Sequence, residues 1–224
     1  KEMLRFSFPL ILASTSGILI SILDKYILNY LATREEVGIY VFAYRMANSL
    51  KIFVIASVQM AVSPLLFQLM HDPGSKRFYS KYMTYFAFIV MICVIGLSAF
   101  SFEIVHLFAQ NEIYYIAWSI IPILSFALFF GMLKDTASTG LQISKETGII
   151  SVITVSTTLL NVGLNYISIP KFSYYGSALS FLLSQILFFI LVYFFAQKRY
   201  PITYEVKNIF LIVIVGTILC LLTY

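Results

Sequence analysis

Apolar positions in this chain come in long runs separated by short polar breaks. The runs cover 6–31, 38–67, 82–103, 114–142, 147–169, 176–197 and 207–224. A helix needs about 20 apolar residues to cross a bilayer, and every run is of that order. The breaks read "ATREEVG", "HDPGSKRFYSK", "FAQNEIYY", "SKETG", "IPKFSYYG" and "QKRYPITYEVK". In lipid each backbone N–H and C=O must be paired within the structure, because no water is there to receive it. The pattern therefore predicts an all-α integral membrane protein of seven transmembrane helices with short loops.

Composition sharpens this picture. Of 224 residues, 60% are hydrophobic and 11% charged, against about 25% charged in an ordinary soluble domain. The mean hydropathy is +0.91. No stretch is left over for a separate soluble domain. The net charge of +5 resides mostly in the loops, so it reports orientation rather than affinity for nucleic acid, and no nucleic-acid partner is expected. Ten basic residues fall on one side of the predicted bundle: Lys1, Arg5, Lys76, Arg77, Lys81, Lys134, Lys145, Lys198, Arg199 and Lys207. Only Arg34 and Lys171 fall on the other. This asymmetry predicts a cytoplasmic N-terminus. Cys93 and Cys220 lie within apolar runs and read as small packing residues. The first run is too long for a signal-peptide core and no small-residue cleavage site follows it. The chain is expected to be a piece of a longer polypeptide.

Three cations remain inside the spans: Lys25, Arg45 and Lys51. A lone cation near a helix centre costs about 2.5–3.5 kcal/mol on insertion scales. Asp24 is the one acid at comparable depth. With span 2 opening at residue 38, Asp24 and Arg45 lie at one level, about 10 Å inside the outer boundary, and an Asp24–Arg45 ion pair is expected. A coupling role for Asp24 is the alternative. Arg45, Asn48 and Lys51 share one arc of span 2, continued by Gln59 and Ser63. Lys25 shares a stripe with Ser7, Ser14 and Ser21, and Thr154, Thr158, Asn161 and Asn165 form a stripe on span 5. The plainer reading is snorkelling for Lys25 and Arg45, and helix–helix contact for the hydroxyl and amide stripes. The bolder one is a hydrated cavity that accepts an anion. Its cations would be Lys51, Arg45 and Lys25, its amide donor Asn48, and its polar lining Ser14, Ser21, Gln59, Asn161 and Asn165.

Catalytic patterns are missing from the sequence. His71 and His106 have no metal-spaced partner, and there is no H-E-x-x-H, G-x-S-x-G or phosphate-cradling glycine loop. No enzymatic activity, metal or cofactor is expected.

The stretch "LDKYILNYLATREEVGIYVFAYRMANSLKIF" resembles the opening of the second lobe of Wzx-type polysaccharide flippases, within the multidrug/oligosaccharidyl-lipid/polysaccharide (MOP) exporter superfamily. The residues carrying the likeness are Asp24, Lys25, Asn29, "VGIYVFAY" and Arg45. "STGLQISKETGIIS" and "LLNVGLNYISIPKFSYYGSALSFLLSQ", with Asn161, Asn165, Pro170 and Gly176, resemble later helices of that family. The resemblance implies a second transmembrane lobe of about six helices over 1–200 and a trailing helix over 201–224, without the N-terminal lobe. It implies alternating access that carries an undecaprenyl-pyrophosphate-linked oligosaccharide from the inner to the outer leaflet of the bacterial inner membrane. The cargo would be a repeat unit of O-antigen (lipopolysaccharide), capsule or exopolysaccharide. Implied partners are that lipid-linked oligosaccharide, membrane lipid, the missing lobe, and a polysaccharide polymerase with its chain-length proteins. A multidrug exporter of the same superfamily stands as the alternative. Further off stand a polysaccharide-biosynthesis membrane enzyme and a seven-helix receptor or channel.

Overall fold

The computed structural model describes residues 22–69 and 74–222, and among these there is no strand. The described part of α1 covers 22–31. After a two-residue turn come α2 (Arg34–Leu50), a π-turn (Lys51–Ile55) and α3 (Ala56–Gln68), which together make one continuous rod. Then follow α4 (Ser75–Ala99), α5 (Ser101–Phe108), a 3-10 helix (Glu112–Ile120), α6 (Ile121–Ile143), α7 (Thr147–Arg199) and α8 (Val206–Leu222). Each run of the hydropathy pattern thus has its helix. The helices extend past the apolar runs because charged and polar residues carry them on into the interface, as Lys76, Arg77 and Lys81 do on α4.

α2 starts four residues earlier than the hydrophobic run because its first turn is well capped. Thr33 accepts from the Glu36 backbone N–H, and the Glu36 carboxylate accepts from the Thr33 N–H at 2.8 Å, a reciprocal capping box. Glu35 and Glu36 also sit at the positive end of the helix dipole.

The fifth and sixth runs form the two arms of α7. Ser173, at φ 49° and ψ −129°, breaks the helix between them. The chain there turns back on itself, so Glu146 before the first arm lies 3.7 Å from Arg199 at the end of the second. Both arms lie along α6. Ile150, Ile153, Phe181, Phe188, Val192 and Ala196 pack with Leu124, Ala127, Leu128, Ala137 and Leu141 in one buried cluster. A second cluster joins α4 to α6 and α8 through Met83, Phe86, Val90, Phe129, Met132, Leu133, Ile209 and Cys220.

The loops gather at two ends. At one end Tyr79 donates to the Leu66 carbonyl, Ser80 donates to the Thr203 carbonyl at 2.7 Å, and Lys76 stands over the Tyr200 ring. At the other, Ser173 donates to the Glu36 carboxylate and Tyr175 donates to the Ser119 hydroxyl. This grouping is the one the alternating basic loops require.

The turn at Ser173 leaves no room at Gly176. A Cβ there would overlap the Ser168 carbonyl and approach the Ile169 nitrogen, which are backbone atoms that cannot rotate away. Gly176→Ala is therefore expected to lower stability by about 1–3 kcal/mol, read as a lower thermal midpoint of the purified protein. Gly163→Ala, where nothing lies within 4 Å, should leave the midpoint unchanged or raise it slightly.

Candidate functional site

Two features stand out, and they lie on either side of α1 and α2. The first is a closed polar chamber. Asp24 on α1, Tyr40 on α2, and Asn161, Asn165 and Ser177 on α7 are each 0% exposed. The Asn165 side-chain amide donates to Asp24 Oδ1 at 2.7 Å, to the Asn161 carbonyl at 3.0 Å and to Asn161 Oδ1 at 3.2 Å. The Tyr40 hydroxyl and Asn161 side chain lie within electrostatic reach of the Asp24 carboxylate, and Ser177 within reach of Tyr40. Those contacts are looser than the Asn165–Asp24 bond, and Asp24 Oδ2, Tyr40 Oη, Asn161 Nδ2, Asn165 Oδ1 and Ser177 Oγ are all buried without a well-formed hydrogen bond. A buried polar group left unpaired costs about 1–3 kcal/mol, and a lone buried carboxylate costs more. The chamber is rich in oxygen atoms and apolar outside, since Leu28, Ala43 and Ile169 belong to the cluster packed around it.

The second feature is an exposed cationic face on the α2 rod. Arg45 and Lys51 are both exposed, although 45 and 51 sit well inside a helix long and apolar enough to cross a membrane (Arg34–Leu66). Lys25 is half-buried, with its ammonium 4.3 Å from the centre of the Tyr44 ring. Lys25 and Arg45 are near enough for their charges to act on each other. The ion pairs among the described residues are Lys134–Asp135 at 2.8 Å and Glu146–Arg199, and neither touches this face. Lys51 opens the π-turn, in which the Ala56 N–H reaches back five residues to the Lys51 carbonyl. Asn48, one turn earlier, is half-buried beside it. Turns of this kind mark functional positions in helices with unusual frequency.

The expected Asp24–Arg45 pair does not form. Asp24 turns inward to Asn165, while Arg45 lies exposed on another face. The reason is depth. Because α2 begins at Arg34 rather than 38, Arg45 lies about 6 Å deeper than the level of Asp24. Tyr40, six residues into α2, occupies that level instead. Asn161 and Asn165, expected to line a cavity, are fully buried beside Asp24. The hydroxyls of Thr154 and Thr158 on the same stripe are satisfied by carbonyls one turn back, both at 2.7 Å. Gln59 faces neither feature; it lines a pocket of about 200 Å³ with Ser63, Asp135, Thr139 and Gln142. Ser14 and Ser21 lie outside the described residues. Tyr40 and Ser177 were not singled out in the sequence. Their signal was positional: Tyr40 mirrors Asp24 across the α1–α2 turn, and Ser177 follows the helix break after Asn165.

The sequence profile of the family described as "Polysaccharide biosynthesis protein" matches residues 1–70, the segment that carries Asp24, Lys25, Tyr40, Arg45 and Lys51. No curated protein matches the chain. The solved structure of a MOP superfamily transporter from Pyrococcus furiosus superposes with a TM-score of 0.66 at 17% identity, over 99% of this chain and 52% of that one. The chain therefore has the fold of a MOP transporter lobe and spans about half the length of the transporter it matches. The chain thus combines a MOP transporter fold with a polysaccharide-biosynthesis profile over its first 70 residues.

Proposed function

We propose that the chain is one lobe of a two-lobe flippase that moves a polyprenyl-pyrophosphate-linked oligosaccharide from the inner to the outer leaflet. The observation that carries this reading is the face of Arg45 and Lys51. Two exposed cations without an acid partner, set deep in a spanning helix, are costly against lipid. They are stable against a hydrated cavity shared with a second lobe, and such a cavity attracts an anion. A pyrophosphate supplies that charge. Arg45 would grip its oxygens through a planar fork, Lys51 would act as a mobile point charge, and Lys25 and Asn48 would complete the wall. The matched Pyrococcus transporter is described as having a binding pocket of reverse polarity.

The chamber around Asp24 supplies the coupling site in this scheme. It joins α1, α2 and the two arms of α7 near the Ser173 break, so a change in the charge of Asp24 would change how the wall helices pack. Residues 1–200 form the lobe and 201–224 the trailing helix. The lobe sits in the bacterial inner membrane with its N-terminus cytoplasmic, as the basic loops favour. It acts as a transporter rather than an enzyme, alongside a polymerase and chain-length proteins that use the flipped O-antigen, capsule or exopolysaccharide unit.

The test is reconstitution. Liposomes carrying the full-length polypeptide should expose a fluorescent lipid-linked oligosaccharide to an external quencher, whereas liposomes with the 224-residue chain should not. Flipping by the short chain alone would overturn the two-lobe reading. Transport of a cationic drug without movement of the lipid-linked sugar would replace it with the exporter reading.

A further inference from the structure

A further groove shares no lining residue with the chamber or the cationic face. It lies between α3 and α4 and has a volume of about 630 Å³. Val58 and Val62 form one wall. The other is a single stripe of α4 that runs from Arg77 and Lys81 through Tyr82 and Tyr85 to Ile89. No acid lines it. Arg77 and Lys81 stand one helical turn apart, both exposed and neither in an ion pair among the described residues. Lys76, by contrast, points away onto the Tyr200 ring. Tyr85 is 63% exposed and Ile89 47%, so the apolar part of the groove is open.

We propose that this groove binds an anionic phospholipid, its phosphate held by Arg77 and Lys81 and one acyl chain laid along the α3–α4 wall. Charge and depth both point to that occupant. The cations lie where α4 leaves its apolar run, at headgroup level, and a phosphate there completes two otherwise unpaired charges. From Arg77 to Ile89 the stripe rises about 18 Å, close to the roughly 15 Å hydrocarbon depth of one leaflet. A lipid seated in one leaflet fits that length. A much longer polyprenyl chain would run beyond the groove's apolar end. Tyr82 and Tyr85, just past the cations, sit at the depth where aromatic rings settle between headgroups and chains. The same α3 helix continues from the π-turn that Lys51 opens, so a bound lipid would brace the rod that carries the cationic face.

Lipid retention on the full-length protein tests this without any transport assay. The protein is purified in detergent, titrated with phosphatidylglycerol or phosphatidylcholine, and bound lipid is counted by native mass spectrometry. Phosphatidylglycerol should bind about tenfold more tightly. The Arg77→Gln/Lys81→Gln variant should lose that preference, and Val62→Trp, which fills the groove and keeps both charges, should weaken binding of both lipids. Lys76→Gln should change neither. Equal binding of the two lipids by the unaltered protein would overturn the proposal. So would full phosphatidylglycerol binding by Val62→Trp, which would reduce the site to surface charge. Displacement by glycerol phosphate as readily as by the lipid would make it a free-phosphate site. Displacement by lipid-linked oligosaccharide at lower concentration than by phosphatidylglycerol would give the groove to the transported substrate instead.

Discussion

Asp24→Asn in the full-length polypeptide is expected to leave protein abundance unchanged or raised while lowering transport about tenfold or more. The abundance half follows from the chamber's geometry. An asparagine has the shape of the aspartate, and its carbonyl still accepts from the Asn165 amide that now meets Asp24 at 2.7 Å. It also removes a buried charge, whose desolvation the nearby Lys25 only partly offsets. The transport half follows from chemistry. An amide can neither take up a proton nor offer an anionic oxygen to a cation, so the chamber stays in one charge state through the cycle. Asp24→Ala is expected to lose transport and stability together, since it removes the shortest of the Asn165 amide's hydrogen bonds and leaves a void among buried polar groups, at about 1–3 kcal/mol. Comparing transport under imposed proton and sodium gradients identifies the ion: the dependence on one of them should vanish in Asp24→Asn. Wild-type transport with unchanged ion dependence in that variant would reduce Asp24 to a packing residue.

Lys51→Gln is expected to lower transport by a similar factor, about tenfold, with no loss of protein. Lys51 has no ion-pair partner among the described residues, so neutralising it leaves no acid unpaired. Lys51→Arg keeps the charge in a bulkier, planar form and should restore part of the rate. Arg45→Gln belongs to the same class. Since Asp24 does not rely on Arg45, the Arg45→Gln protein should accumulate normally, and Asp24→Asn should not act as its suppressor. Complementation of a flippase-deficient strain, read beside immunoblot levels, separates rate from abundance in all of these variants. Unimpaired surface polysaccharide with Lys51→Gln would remove Lys51 from the site. Loss of the Arg45→Gln protein, restored by Asp24→Asn, would reinstate the ion pair.

The charged residues of the candidate site were legible in the sequence, but Tyr40, Ser177 and the partnerships were not. Charge inside an apolar run is conspicuous because lipid penalises it, so Asp24, Lys25, Arg45 and Lys51 declare themselves one by one. Who meets whom depends on where each helix begins, and hydropathy places that boundary only loosely. The capping box of Thr33 and Glu36 moved the start of α2 outward by a turn, which carried Arg45 below the level of Asp24 and brought Tyr40 up to it. Helical phase correctly set Asn161 and Asn165 on one stripe. Yet an inward stripe reads the same whether it lines water or closes a dry chamber, and Thr154 and Thr158, on the same stripe, turned out to be bonded to their own helix.

Hydrophobic patterning by itself determined the all-helical, membrane-type class and where the long apolar helices fall among the described residues, because these follow from local length and from backbone pairing in lipid. Only the tertiary structure decided that Asp24 faces Asn165 across 141 positions of sequence, that α7 doubles back at Ser173, and that Arg77 and Lys81 head an apolar groove. Those outcomes depend on how helices distant in sequence come to pack side by side. Packing sums many small contacts over the whole bundle, whereas the hydropathy of a run is a property of that run alone.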